Sequence, residues 1–178
     1  MKTITVFCKN TNTYHGLPAG LSLMEIYQRL HIKLPYQVVG ALVNNKVEGL
    51  NFIVYKPKDI LYIDLSSSSG MRIYVRTLSM VMSKAVNELL PETTLHIEHP
   101  VSKGYYGNVT LNREVIPVNL AAIKQRMQEI INANLPVVEE EDQTPHVIEL
   151  FRTTNQDDKV RLLETLGTPY TSYFRINN

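Results

Sequence analysis

The sequence predicts an α+β fold divided into two units. Three observations predict it: strand-like alternation at both ends of the chain, capped helical stripes between them, and one low-complexity run, "SSSSG" at residues 66–70, that reads as a linker. A chain of 178 residues with 44% hydrophobic content has enough material for two small cores.

Composition narrows the function classes. With 18 basic and 17 acidic residues the formal net charge is +1, so the whole chain has no electrostatic drive toward nucleic acid or membrane, although a local patch is not excluded. Cys8 is the only cysteine, which rules out an internal disulfide and a cysteine-rich zinc site and points to a reducing compartment. "MKTITVFCKN" lacks the apolar core of a signal peptide, and no stretch reaches the ~18 apolar residues of a membrane span. A soluble, cytoplasmic chain without membrane contact is expected.

Residues 1–65 read as a compact strand–strand–helix–strand unit. "TITVFCK" alternates, with Ile4, Val6 and Cys8 on one face, and "YHGLPAG" gives a second strand after the turn residues "NTNT". Ser22 followed by Glu25 is a capping box, with Leu21 and Ile26 at staple spacing. The helix it opens carries Leu23, Ile26, Tyr27 and Leu30 on one stripe, and Pro35 bounds it. An Asn-Asn pair inside "VVGALVNNKVEG" predicts a hairpin turn, and "KPKDILYIDL" closes the unit as a strand.

After a linker at 66–71, a second unit spans 72–178. "MRIYVR" alternates as a short strand. From Thr77 to Leu90 the period becomes helical, with Leu78, Met82, Ala85, Val86 and Leu89 sharing a face and Pro91 ending it. "TTLHIEHPVSKGYYGNVTL" reads as two strands around a glycine-containing turn. A long helix over 119–133 presents Leu120, Ile123, Met127 and Ile130, and "PVVEEED" follows as a strand. Thr144 before Pro145 reads as an N-cap and first-turn pair for a helix with Val147, Ile148, Leu150 and Phe151. Asp157 reads as the cap of a last helix with Val160, Leu163 and Leu166, ending at Gly167. "YTSYFRI" alternates as a strand cut short at the chain end.

The order of elements in the first unit, with "ALVNNKVEGL" as its hairpin and "DILYID" as its closing strand, resembles the TGS domain, a ubiquitin-like β-grasp module found at the front of threonyl-tRNA synthetases and some regulatory GTPases. The second unit resembles the second additional domain of threonyl- and alanyl-type synthetases, an α/β two-layer editing fold. Leu90-Pro91 at the end of a helix, then Gly104-Tyr105-Tyr106 before a strand, then "KQRMQEIINANLPV", carry that resemblance. In that family the domain hydrolyses wrongly charged tRNA at a zinc centre made by a His-x-x-x-His pair and a Cys-x-x-x-His pair.

Counting back from Leu90-Pro91 puts the first pair at Met80 and Lys84 here, and the second pair has no counterpart. A thioether is a poor zinc ligand, and a protonated ammonium has no lone pair to give. The resemblance therefore implies a chain without catalytic residues and without that metal. His96 and His99, three apart, fall on opposite faces of a regular strand; His15, His31 and His146 are isolated. "SKG" at 102–104 is no phosphate loop, because its lysine precedes the glycine and a strand follows it.

A TGS unit followed by a degenerate editing-type unit also resembles the N-terminal region of bacterial uridine-kinase-like nucleoside kinases. That resemblance implies a non-catalytic accessory region whose own C-terminal kinase domain binds ATP and magnesium, with no cofactor in these residues. The alternative is an RNA- or tRNA-binding module related to the synthetase editing domain. Self-association is left open. Within the accessory-region reading, a nucleotide or RNA is the expected ligand. The site to look for is a pocket formed by Lys84, His99, Lys103, Tyr105 and Tyr106, where cations and stacking faces would replace a metal and hold an anion such as a nucleotide phosphate. The alternative is that Lys84 lies along the helix with its ammonium in solvent and the tyrosines pack the hairpin.

Overall fold

A computed structural model describes residues 2–102, 104–154 and 156–176. The architecture is mixed α+β, with several sheets and five helices among those residues. It divides into two compact units, Met1–Leu78 and Ser79–Asn178. No helix of the described residues is long and apolar enough to cross a membrane.

In the first unit, β1 (Thr3–Cys8) pairs antiparallel with β2 (Thr13–Pro18). A short β3 (Leu21–Ser22) leads into α1 (Leu23–Arg29). Then β4 (Gly40–Val43) turns back into β5 (Lys46–Glu48) through Asn44 and Asn45, whose φ angles of 48° and 68° make the mirror-image turn that suits strand twist. β6 (Ile53–Val54) pairs with β3, and β7 (Lys58–Ile63) inserts between β1 and β4, parallel to the first and antiparallel to the second. The sheet order is β2-β1-β7-β4-β5. One face carries Ile4, Val6, Cys8, Ala41, Val43, Ile60 and Tyr62, and these pack against Leu23 and Ile26 of α1.

Two polar devices tie this core together. The Tyr62 hydroxyl donates to the Leu23 carbonyl at 2.7 Å, joining β7 to α1 where water is excluded. Asn10 sits just past β1 and continues the ladder with its side chain: its amide donates to Tyr62 O at 3.0 Å, and its Oδ1 accepts from Tyr62 N at 2.8 Å.

α1 begins as the sequence predicts. Ser22 Oγ accepts from Glu25 N at 3.2 Å, and the Glu25 carboxylate accepts from Ser22 N at 2.7 Å. Bonds from Ser22 hold the Glu25 carboxyl below the usual range. Ser22→Ala is expected to cost about 1 kcal/mol, read as a lower urea midpoint with unchanged slope. The helix ends at Arg29, with His31 at φ 47°, so Pro35 is not its stop.

Residues 68–76 differ from expectation. They are neither a linker nor a strand but the first turns of α2 (Ser68–Leu89), and the division between the units falls within this helix. The serines act as a start signal: Ser67 Oγ accepts from Gly70 N at 3.0 Å, satisfying a donor that a helix start leaves free. Asp64, buried, accepts from Tyr36 N at 3.0 Å and from both donors of Ser66. The Ser66 hydroxyl and the Tyr36 amide hold its carboxyl below the usual range.

In the second unit β8 (Thr94–Val101) pairs with β9 (Gly104–Leu111), and β10 (Glu114–Val115) adds a third strand. α3 (Leu120–Asn132) is capped by Asn119, whose Oδ1 accepts from Ala122 N. β11 (Val137–Gln143) pairs antiparallel with β12 (Tyr170–Ile176) from Val137↔Ile176 to Gln143↔Tyr170. Between them lie α4 (Thr144–Thr153) and α5 (Asp157–Leu166), the latter ended by Gly167 at φ 62°. Thr144 and Asp157 are helical rather than caps; Thr144 Oγ1 bonds Thr171 Oγ1 at 2.8 Å instead.

The core here comprises two clusters, Val81, Ala85 and Ile130 in one and Val86, Val109 and Ile123 in the other, with Met127 packed against both. The expected stripes hold at their centres: Ala85, Val86, Ile123, Ile130, Val147, Val160 and Leu163 are buried, and Met82 and Met127 pack against the clusters. Val81 joins the inward face of α2, while Leu78, Leu89, Leu120, Leu150 and Leu166 are exposed.

Candidate functional site

The exposed wall of α2 shapes a cleft of about 820 Å³ in the second unit. Met80 and Lys84, one turn apart on this wall, occupy the positions where a zinc-binding histidine pair is expected. They do not fit that ion. Lys84 Nζ lies 3.0 Å from Glu88 Oε1, the next turn along, and Glu88 Oε2 lies 2.7 Å from Arg126 Nε of α3. Arg126 in turn reaches Glu129 at 2.7 Å. Burial works to raise the Glu88 pKa, but the bonds from Arg126 and Lys84 outweigh it and hold the carboxyl below its usual range. A cation balanced by its own carboxylate stands where the metal would need two lone pairs. Among the described residues no group of three or more His, Cys, Asp and Glu side chains stands together as a metal site.

The other walls come from distant parts of the chain. Leu95 and Ile97 of β8 form one side, and Phe151, Lys159 and Phe174 line another. Phe151 and Tyr173 meet edge to face, 6.3 Å between centroids. Glu140 fixes β12 against β11 by accepting from the Tyr173 hydroxyl and from Arg175, each at 2.7 Å. The Glu140 bond also raises the Tyr173 pKa.

Of the four described residues expected to form a ligand pocket, only Lys84 lines this cleft. His99, Tyr105 and Tyr106 lie toward the turn of the β8–β9 hairpin, exposed, and Lys103 lies outside the described residues. His99 and Tyr106 do come together, with ring centroids 5.5 Å apart and planes tilted by 30°. A register shift between Ile97 and Pro100 places Glu98 and His99 opposite Tyr106 alone, a bulge that breaks the alternation assumed for a regular strand. His96 bonds Thr110 Oγ1 at 3.1 Å, and His146 bonds Asp142 at 3.2 Å. Sequence reasoning missed Lys159 and Phe174 as cleft residues. Nothing in local spacing brings α5 and β12 to α2, since only the tertiary fold does so.

The near-zero total charge conceals a segregation. Up to Leu78 the chain has nine basic and four acidic residues, a formal charge of +5; from Ser79 onward it has nine basic and thirteen acidic, a charge of −4. In the first unit Arg29, Lys33 and Lys56 are exposed, and Tyr36 and Tyr55 are exposed near them in the sequence.

No protein-family model matches the chain. Curated relatives do. A threonine–tRNA ligase of Syntrophomonas wolfei is 29% identical over 149 residues, which is 84% of this chain and 24% of that protein. Its counterpart in Clostridium kluyveri is 29% identical over 147 residues, 83% of this chain and 23% of the relative, and that of Clostridioides difficile is 26% identical over the same length. The chain is similar to part of these threonine–tRNA ligases. It spans about a quarter of the length of these curated relatives. The threonine–tRNA ligases give a nucleoside-kinase parent, with its ATP and magnesium, no support.

Proposed function

We propose that the chain is an RNA-binding module of threonine–tRNA ligase type that does not hydrolyse aminoacyl-tRNA. The observation that carries this reading is the similarity to threonine–tRNA ligases across 84% of the chain, through both units. The five-stranded mixed sheet with a single packed helix supports a TGS-like β-grasp in the first unit. Helix α2, the β8–β9 hairpin and α3 support an editing-type second unit. The reading without hydrolysis is supported by the cleft, where Lys84 is held by Glu88 and a thioether rather than an imidazole stands at Met80. RNA contact is assigned to the first unit because the phosphate backbone is drawn to its +5 charge and repelled by the −4 of the second.

Fluorescence anisotropy with a labelled tRNA tests the reading. With about four phosphates neutralised, raising salt from about 50 to 200 mM weakens binding about a hundredfold. Mischarged tRNA incubated with the chain and added zinc keeps its amino acid at the rate seen in buffer alone. Absence of binding at low salt, binding insensitive to salt, or accelerated deacylation would each overturn the proposal.

A further inference from the structure

Several cations of the second unit are matched by a carboxylate. Lys84 and Arg126 share Glu88, Arg175 has Glu140, and Arg152 has Glu164. Lys159 differs. Its ammonium lies 5.1 Å from the centre of the Phe151 ring and bonds the Gln156 side-chain oxygen; among the described residues no carboxylate lies at ion-pair distance, and Asp158 beside it acts only at longer range. An aromatic face attracts a cation but does not replace the water that the cation loses. Although the residue as a whole is exposed, burial around its nitrogen lowers the Lys159 pKa. An ammonium has three donors, and Gln156 uses one.

Two further groups in the same cleft are unused. The side chains of Ser83 and Asn87, one turn apart on α2, have no hydrogen-bond partner among the described residues. Phe151 and Phe174 supply flat apolar surface beside them, and Phe174 is 58% exposed. At about 820 Å³ the cleft has the size of a small-molecule site.

We infer that this cleft binds a small organic oxyanion, a carboxylate or phosphate head on a flat ring, with the head on the Lys159 ammonium, the ring against Phe151 and Phe174, and Ser83 and Asn87 supplying hydrogen bonds. The site replaces the pocket expected around Lys84 and the hairpin tyrosines, because Lys84 is already neutralised by Glu88. It is independent of the RNA reading, which rests on the first unit.

Titration calorimetry on the whole chain tests it with three probes: uridine 5′-monophosphate, benzoate and inorganic phosphate. The two ring-bearing anions are expected to bind below millimolar concentration and inorganic phosphate at least tenfold more weakly. Lys159→Gln weakens the ring-bearing probes at least tenfold while the circular dichroism spectrum stays unchanged. Lys124→Gln, which removes the same charge from an exposed position on α3, leaves them unchanged. No binding of either ring-bearing probe at 5 mM, an equal loss in both variants, or inorganic phosphate binding as tightly as the ring-bearing probes would overturn the assignment. A phosphate that binds better than benzoate identifies a phosphate ester as the source of the head group, and the reverse identifies a carboxylic acid; both support the site.

Discussion

Gly70→Ala lowers the unfolding free energy by about 3 kcal/mol, a large loss for a single methyl group. An ideal Cβ at Gly70 would stand 1.9 Å from the Asp64 carbonyl oxygen and 2.7 Å from its carbon. The obstacle is backbone, so no rotamer change relieves it. That carbonyl is also fixed, because it accepts from Ser67 N at 3.3 Å and Ser67 Oγ at 3.0 Å. To admit the methyl group the first turn of α2 must move away from Asp64, and the Ser67–Gly70 cap bond would break. Urea unfolding followed by circular dichroism checks the size of the effect. Gly49→Ala, where a Cβ would meet nothing within 4 Å, serves as the control and stays within about 0.5 kcal/mol.

Asn10→Ala has a comparable effect by a different route, about 3 kcal/mol. Two hydrogen bonds to the Tyr62 backbone are lost at about 1 kcal/mol each, and a β7 donor and acceptor beside the core are left without protein partners. Asn10→Asp distinguishes geometry from bulk. It keeps the acceptor for Tyr62 N but turns an oxygen toward Tyr62 O, so it recovers less than half of the loss. A variant at this position that unfolds at the wild-type urea concentration would show that the side chain is not a working part of the sheet.

The first unit was legible because its signals are local. Ser22 and Glu25 lie three residues apart, Asn44 and Asn45 are adjacent, and alternation in β1 and β7 places residues on faces without reference to any partner. The serine run misled because composition does not distinguish a solvated linker from a helix start. Ser67 is read correctly only once its bond to Gly70 is seen. In the second unit the helical periods and the middle of each stripe were legible but the stripe ends were not. Met82, Ala85 and Val86 pack with Ile130 and Val109 as their spacing implies, whereas Leu78 and Leu89 lie beyond the reach of those partners and are exposed.

The candidate site divides the same way. Met80 and Lys84 were singled out only through the family resemblance, counting back from Leu90-Pro91, whereas the i,i+4 partner of Lys84, Glu88, was visible as a sequence interval. The neutralising role of Glu88 was missed because Arg126 joins it from α3, 38 residues further on. Phe151 had been placed on a helix stripe and Lys159 had not been singled out, and their meeting over the cleft depends on how α4 turns into α5.

Cys8 is fully buried at the centre of the first unit, and it is the chain's only thiol. That makes it a built-in clock for one half of the molecule. A thiol reagent modifies it at a rate set by how often the β1–β7 core opens, so labelling over a denaturant series yields the opening free energy of residues 1–78 without contribution from the rest. Comparison with ellipticity, which reports both halves, then measures whether the two units unfold as one cooperative body or in succession.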